Sequence, residues 1–187
     1  MRTMMGQLAA PEGRGFNADL SQWYGLPSFG IGGLSGSKTV DEQAALEAAL
    51  TLITAALSGE QLIHDVGFLD NGITGSLEQL VICQDLIGWV KRFLPGLTIN
   101  AETLALDVVN EIGPDGQFME AMHTAKHCRE DWQPALLDRH DYADWAAAGS
   151  QTLRERAKKR VAEILAAYQP RPIAPAVRAA WDKILPA

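Results

Sequence analysis

Apolar residues recur at helical spacing in the tract that closes near Leu57: Ala45, Leu46, Ala49, Leu50, Ile53 and Leu57 return every three or four positions. Asp41 or Thr39 can cap this helix, and Ser58-Gly59 ends it. Ahead of it, residues 16–24 read as a short helix stopped by Gly25 and Pro27, and residues 28–32 as a short strand. Residues 61–66 follow as a buried strand, then 67–75 as a loop. Ser76 caps a helix over residues 77–94, with Glu78 and Gln79 in its first turn and Pro95-Gly96 at its end. Beyond a brief extended piece at 98–100, Asn100 caps a helix over 101–112. Helical segments then follow at 119–128, at 151–168, which is strongly amphipathic, and at 175–185, with the tract 145–149 between the first two.

Strands separated by long helices predict βαβ units and a parallel sheet, so the fold class is α/β with few parallel strands and extra C-terminal helices. A closed eight-stranded barrel runs to about 250 residues, and this chain has 187. Either it is a small α/β domain with a helical tail or it is part of a larger barrel. Residues 1–136 hold the βα units and the helices after them. Residues 137–187 form a helical extension of the same domain.

At 47% apolar residues the chain can bury a core. The apolar runs are too short to span a bilayer, and Met1–Gly6 carries no export signal, so no membrane is expected and the chain is placed in the cytoplasm. Two cysteines far apart, Cys83 and Cys128, read as reduced thiols. A net charge of −7 argues against a nucleic-acid partner.

Three constellations carry candidate chemistry. Gly30-x-Gly32-Gly33-x-x-Gly36 has the wrong spacing for a dinucleotide loop. Its glycines either let the backbone approach a bulky ligand or serve a loop that needs positive φ. His64-Asp65 ends a predicted strand, where alternation turns only one of the two inward. The pair is either a site group or a histidine bonded to a carboxylate within the fold. His123 and His127 lie four apart on one helix face, with Cys128, Asp138 and His140 near in sequence. They are either metal ligands or two exposed histidines, and no metal is assigned. Thr124 stands where a zinc protease carries its glutamate, which excludes that mechanism.

The segments Tyr24-Gly25-Leu26-Pro27-Ser28, Asp41-Glu42-Gln43-Ala44, Ser76-Leu77-Glu78-Gln79-Leu80-Val81-Ile82, Glu102-Thr103-Leu104-Ala105, Leu137-Asp138-Arg139-His140 and Asp144-Trp145-Ala146-Ala147-Ala148-Gly149-Ser150 resemble the trimethylamine:corrinoid methyltransferase family. The resemblance implies the C-terminal part of a (β/α)8 TIM barrel. It aligns Leu34 with the family's pyrrolysine, the electrophile of the trimethylamine enzymes. Leucine has no electrophile, so the chain resembles the non-pyrrolysine branch, which demethylates quaternary amines such as glycine betaine. His64-Asp65-Val66-Gly67 also resembles that branch.

The implied reaction moves a methyl group from a quaternary or methylated amine to the Co(I) of a corrinoid protein. The corrinoid is carried by that cognate partner, and this chain binds no cofactor tightly. His64 and Asp65 are the expected catalytic residues. Gly32, Gly33, Leu34, Ser35, Phe29 and Phe68 are the expected substrate-binding residues, because quaternary ammonium is held by aromatic faces and carboxylates. An N-terminal half-barrel or a second copy of the chain is a further expected partner. Two other readings stand beside this one: a catalytically incompetent half-barrel that serves assembly, and a small metal-binding α/β protein using His123 and His127.

Overall fold

The computed structural model describes residues 11–184. Met1–Gly6 and Leu185, the predicted end of the last helix, lie outside them. Helix α1 (Pro11–Tyr24) leads to strand β1 (Phe29–Ile31), helix α2 (Glu42–Leu57) and strand β2 (Leu62–His64). A two-residue hairpin, β3 (Phe68–Leu69) and β4 (Thr74–Gly75), precedes the long helix α3 (Leu77–Phe93). Short helices α4 (Ala101–Leu104), α5 (Leu106–Ile112), α6 (Met122–His127) and α7 (Tyr142–Ala147) follow, then α8 (Leu153–Ala167) and α9 (Pro175–Ile184).

The caps fall where the side chains direct them. Asp41 accepts from the Ala44 amide, Ser76 from that of Gln79, and Thr152 from that of Glu155. Lys91 and Arg92 sit in the last turn of α3, where cations suit the helix dipole.

Strands β1 and β2 pair in parallel across the α2 crossover, with Gly30 opposite Ile63 and Ile31 opposite His64. This is an α/β unit of two parallel strands; among the described residues no third strand joins it, and no barrel closes. Strand β2 is three residues long and Leu62 is exposed, so the predicted buried strand is a half-open edge.

The predicted loop at 67–75 contains the β3–β4 hairpin and a 3-10 turn at Asp70–Gly72. The predicted helix at 101–112 is broken in two, because Ala105 takes a left-handed conformation with φ 47°. Residues 98–100 form no strand, and residues 119–128 divide between a 3-10 turn at Phe118–Glu120 and α6.

The core gathers Ala48 and Leu52 of α2, Ile82, Cys83 and Leu86 of α3, Leu136, and Ala157 of α8. Burial pushes the Cys83 thiol up to about 11, whereas Cys128 is exposed. Helix α2 turns its small residues Ala44, Ala48, Thr51 and Ala55 inward with Leu52. Leu46, Ala49, Leu50 and Ile53, most of the predicted apolar stripe, instead line an open groove of about 370 Å³ with Trp89, Val90 and Phe93 of α3.

Gly67 makes the hairpin possible. Its φ is +85°, and a Cβ there would lie 2.8 Å from Leu80 Cβ and 2.9 Å from Leu80 Cα. Left-handed strain and a backbone clash add, so Gly67→Ala is expected to cost about 2 kcal/mol. Urea unfolding of the two chains measures this directly.

Candidate functional site

The glycine-rich segment between β1 and α2 is held from within. Gly33 has φ +77°, and a Cβ there would lie 3.2 Å from Val66 Cα. Its amide donates to Thr51 Oγ1 at 3.0 Å. Ser35 Oγ donates to Glu47 Oε2 at 2.6 Å, and the Gly36 amide donates to the same oxygen at 2.8 Å. Burial pulls the Glu47 carboxyl up, but the bonds from Ser35 and Gly36 outweigh it and hold it below its ordinary value.

Thus both features of the loop, positive φ and close backbone approach, serve contacts within the chain. Leu34 has no exposed surface, and neither has Ser35. The side chain at position 34 is enclosed by the chain's own residues.

The strand-end pair stands in the open. Phe29 and Ile31 of β1 and Leu62 and His64 of β2 share one face of the sheet. Ile63, on the other face, packs against the core that α2 supplies. The Phe29 and His64 rings stack on the face turned from α2, with centroids 4.1 Å apart. His64 Nδ1 lies 2.9 Å from Asp65 Oδ1, with both side chains about a third exposed. Strand alternation predicts that the two point apart; Asp65 has φ 64°, which ends the alternation and brings its carboxylate back to the imidazole. Phe68 is half-buried on β3, and its amide donates to the Asp65 carbonyl. An aromatic ring, an imidazole and a carboxylate are therefore adjacent on one exposed surface, a set suited to a cationic ligand.

A second cluster forms elsewhere. Glu102 on α4 meets His123 and His127 on α6. The His123 Nε2 donates to the Glu102 carbonyl at 2.8 Å, and His127 Nε2 lies 3.0 Å from Glu102 Oε1. Glu130 holds the other nitrogen of His127 at 2.7 Å. Lys126 Nζ reaches Glu102 Oε1 at 2.5 Å. Asp138 and His140, near the pair in sequence, bond to each other.

The hydrogen bond from Lys126 lowers the Glu102 carboxyl to about 2, helped by His127. Hydrogen bonds that the ring donates to Glu130 and then to Glu102 raise His127 above its ordinary value. The raised group stabilises the fold fully below its unfolded pKa of about 6.5 and loses that contribution as pH rises through the folded value. The lowered group stabilises above its unfolded pKa of about 4.3 and loses that as pH falls towards its folded value. Both contributions are therefore whole only from about pH 4.3 to about pH 6.5. In the presence of EDTA, the His127 ring signals in an NMR titration are expected to have a midpoint above 6.5, moving down in Glu130→Gln.

Sequence reasoning missed four residues that hold the chain together here, and only the first two left a signal. Glu47 and Thr51 are polar positions four apart inside an apolar helix, a spacing that places both on one face. Asp85 accepts the amides of Ala135, Leu136 and Leu137 from the middle of α3. Glu102 is distant from both histidines in sequence, and only the turn back of α6 joins them.

Comparison with known proteins agrees with the resemblance read from the sequence. The profile described as trimethylamine methyltransferase (MTTB) matches residues 5–184. A trimethylamine methyltransferase of Methanosarcina barkeri (strain Fusaro) is 40% identical over 156 residues, 83% of this chain and 32% of that protein. One from Desulfitobacterium hafniense (strain DSM 10664) is 35% identical over 188 residues, 99% of this chain and 38% of its own. A glycine betaine methyltransferase of Desulfitobacterium hafniense (strain Y51) is 37% identical over 165 residues, 87% of this chain and 34% of its own. The chain thus spans about a third of the length of the curated relatives it matches. With the profile running through nearly all of it, the chain belongs to the trimethylamine methyltransferase family.

Proposed function

We propose that this chain contributes to methyl transfer from a quaternary amine to a corrinoid protein, in the cytoplasm, as part of one-carbon metabolism. The observation that carries the reading is the stacked Phe29–His64 pair with Asp65 beside it, on the sheet face turned from α2. In a (β/α)8 barrel, the architecture the resemblance implies, helices cover the outside of the sheet and the opposite face is interior. Phe29 offers a ring face to an ammonium group, and Asp65 offers a countercharge held in place by His64. Phe68, whose amide donates to the Asp65 carbonyl, is the second aromatic residue assigned to the amine. Gly32, Gly33, Leu34 and Ser35 act from beneath, by fixing the strand end.

The leaving group explains why no electrophile is needed at position 34. A quaternary ammonium already departs as a neutral amine when its carbon–nitrogen bond breaks, and the nitrogen keeps the electron pair. The partner's Co(I) corrinoid supplies the nucleophile that accepts the methyl group. The residues of this chain need only orient the amine and exclude water from the methyl carbon.

The purified chain, with its cognate corrinoid protein reduced to Co(I), is expected to discharge the Co(I) absorption when glycine betaine is added and not when trimethylamine is added. Asp65→Ala should slow that discharge by about tenfold or more. No discharge across a panel of betaines would overturn the reading as an activity of this chain by itself.

One observation favours a second reading, the assembly role. The groove between α2 and α3 is lined by apolar side chains of which Leu46, Leu50, Trp89 and Phe93 are exposed. Surfaces of this kind mark interaction sites. A monodisperse monomer by light scattering at high concentration would argue against it.

A further inference from the structure

We propose that Glu102, His123 and His127 form a binding site for a zinc ion that staples α4 to α6. Their three ligand atoms lie within 4.8 Å of one another. Zinc bonds to imidazole nitrogen and carboxylate oxygen are about 2.0–2.2 Å long, which puts tetrahedral ligands about 3.4 Å apart. Small side-chain rotations close that difference. Two imidazoles and one carboxylate are borderline-soft ligands that suit zinc over calcium or magnesium. The fourth position is left to water.

Two further observations point to an ion. The first is Glu130, which holds His127 Nδ1 at 2.7 Å and leaves Nε2 directed at Glu102. A carboxylate on the far nitrogen of a histidine is the arrangement that orients metal-bound imidazoles and raises their basicity. The second is the poverty of the surrounding core. From residue 87 to residue 135 no side chain is buried, and α4 and α6 span four and six residues. Helices that short do not hold themselves in water. A segment with so little apolar burial is the kind that metal ions stabilise.

Lys126 is the competing cation, because its ammonium holds the Glu102 oxygen that zinc would take. It is mostly exposed and can turn to solvent when the ion enters. This gives the site a signature that an ion-pair network lacks: removing Lys126 should strengthen zinc binding.

The test titrates zinc chloride into the full chain after chelator treatment, followed by calorimetry and elemental analysis. One zinc per chain is expected, together with slowed amide hydrogen exchange over residues 101–127. Glu102→Gln and His127→Ala should abolish the one-to-one binding. Glu130→Gln should weaken it by about 10–100-fold. Lys126→Ala should bind zinc more tightly. Glu102→Gln and Glu130→Gln are close in shape to the native residues, and an unchanged far-ultraviolet circular dichroism spectrum shows that they fold. Zinc content well below one per chain, binding unchanged in His127→Ala, unslowed exchange at 101–127, or weaker binding in Lys126→Ala would overturn the proposal.

Discussion

Asp85→Ala is expected to destabilise the chain by about 3–4 kcal/mol. The Asp85 carboxylate lies in the middle of α3 and is nearly buried. It accepts the Leu136 amide at 2.6 Å and those of Ala135 and Leu137 at 3.2 Å. From the other side, Arg156 Nε donates to the Leu136 carbonyl at 2.7 Å. One carboxylate on α3 and one guanidinium on α8 thus clamp the segment that inserts Leu136 into the core.

Alanine at position 85 removes the acceptor and leaves the donors in place. The Ala135 amide belongs to an exposed residue and can turn to water. Those of Leu136 and Leu137 are stranded, at about 1–3 kcal/mol for each buried donor left unsatisfied. Asp85→Asn should lose about half as much, because its amide oxygen still accepts while its NH2 faces other donors. Urea unfolding measures the loss. The Trp89–Trp132 stack beside this segment, with centroids 6.5 Å apart, gives a local fluorescence signal. A loss below about 1 kcal/mol for Asp85→Ala would mean that the clamp rests on Arg156 and on packing alone.

The elements that could be read from the sequence are those whose signals are local. Asp41, Ser76 and Asn100 each satisfy an orphan amide three residues on, so their helices start where expected, whereas α8 starts at Leu153, two residues after the expected 151, because Thr152 caps it. Helix interruption was not legible at Ala105, since alanine is a strong helix former and only tertiary context drives it left-handed. The face that α2 buries was not legible either. Its large apolar residues outnumber those on the small-residue face, yet the buried face is that of Ala44, Ala48, Thr51, Leu52 and Ala55, where the Ala44 carbonyl accepts from Gln79 of α3 and Ala48 joins the core.

The candidate site divides in the same way. His64-Asp65 was legible as polar residues at a strand end. Their mutual contact was not, because it depends on the positive φ of Asp65. His123 and His127 were legible by spacing. Glu102 was not, because it joins them only through the fold. Long-range partners such as Asp85 with Leu136 leave no periodic trace in the chain.

Leu34→Lys should have the largest effect, about 4 kcal/mol or more. Leu34 is fully buried, and the chain on either side of it is fixed. Gly33 is tied to Thr51 and Ser35 to Glu47, so the loop cannot swing outward without breaking both bonds. A lysine there must bury its ammonium, lose its proton, or pull the loop apart. Burial lowers a lysine pKa, so the loss relative to the native chain should shrink as pH rises towards about 10. Leu34→Met keeps volume and apolarity and should cost less than about 1.5 kcal/mol. Thermal and urea unfolding of the three chains across pH tests the set. The outcome also bears on the amine site. If Leu34→Lys proves as stable as the native chain, position 34 faces solvent and a direct substrate contact there becomes the better assignment. If it unfolds the chain while Leu34→Met does not, recognition of the amine falls to Phe29, Asp65 and Phe68, and position 34 acts by holding the strand end rigid.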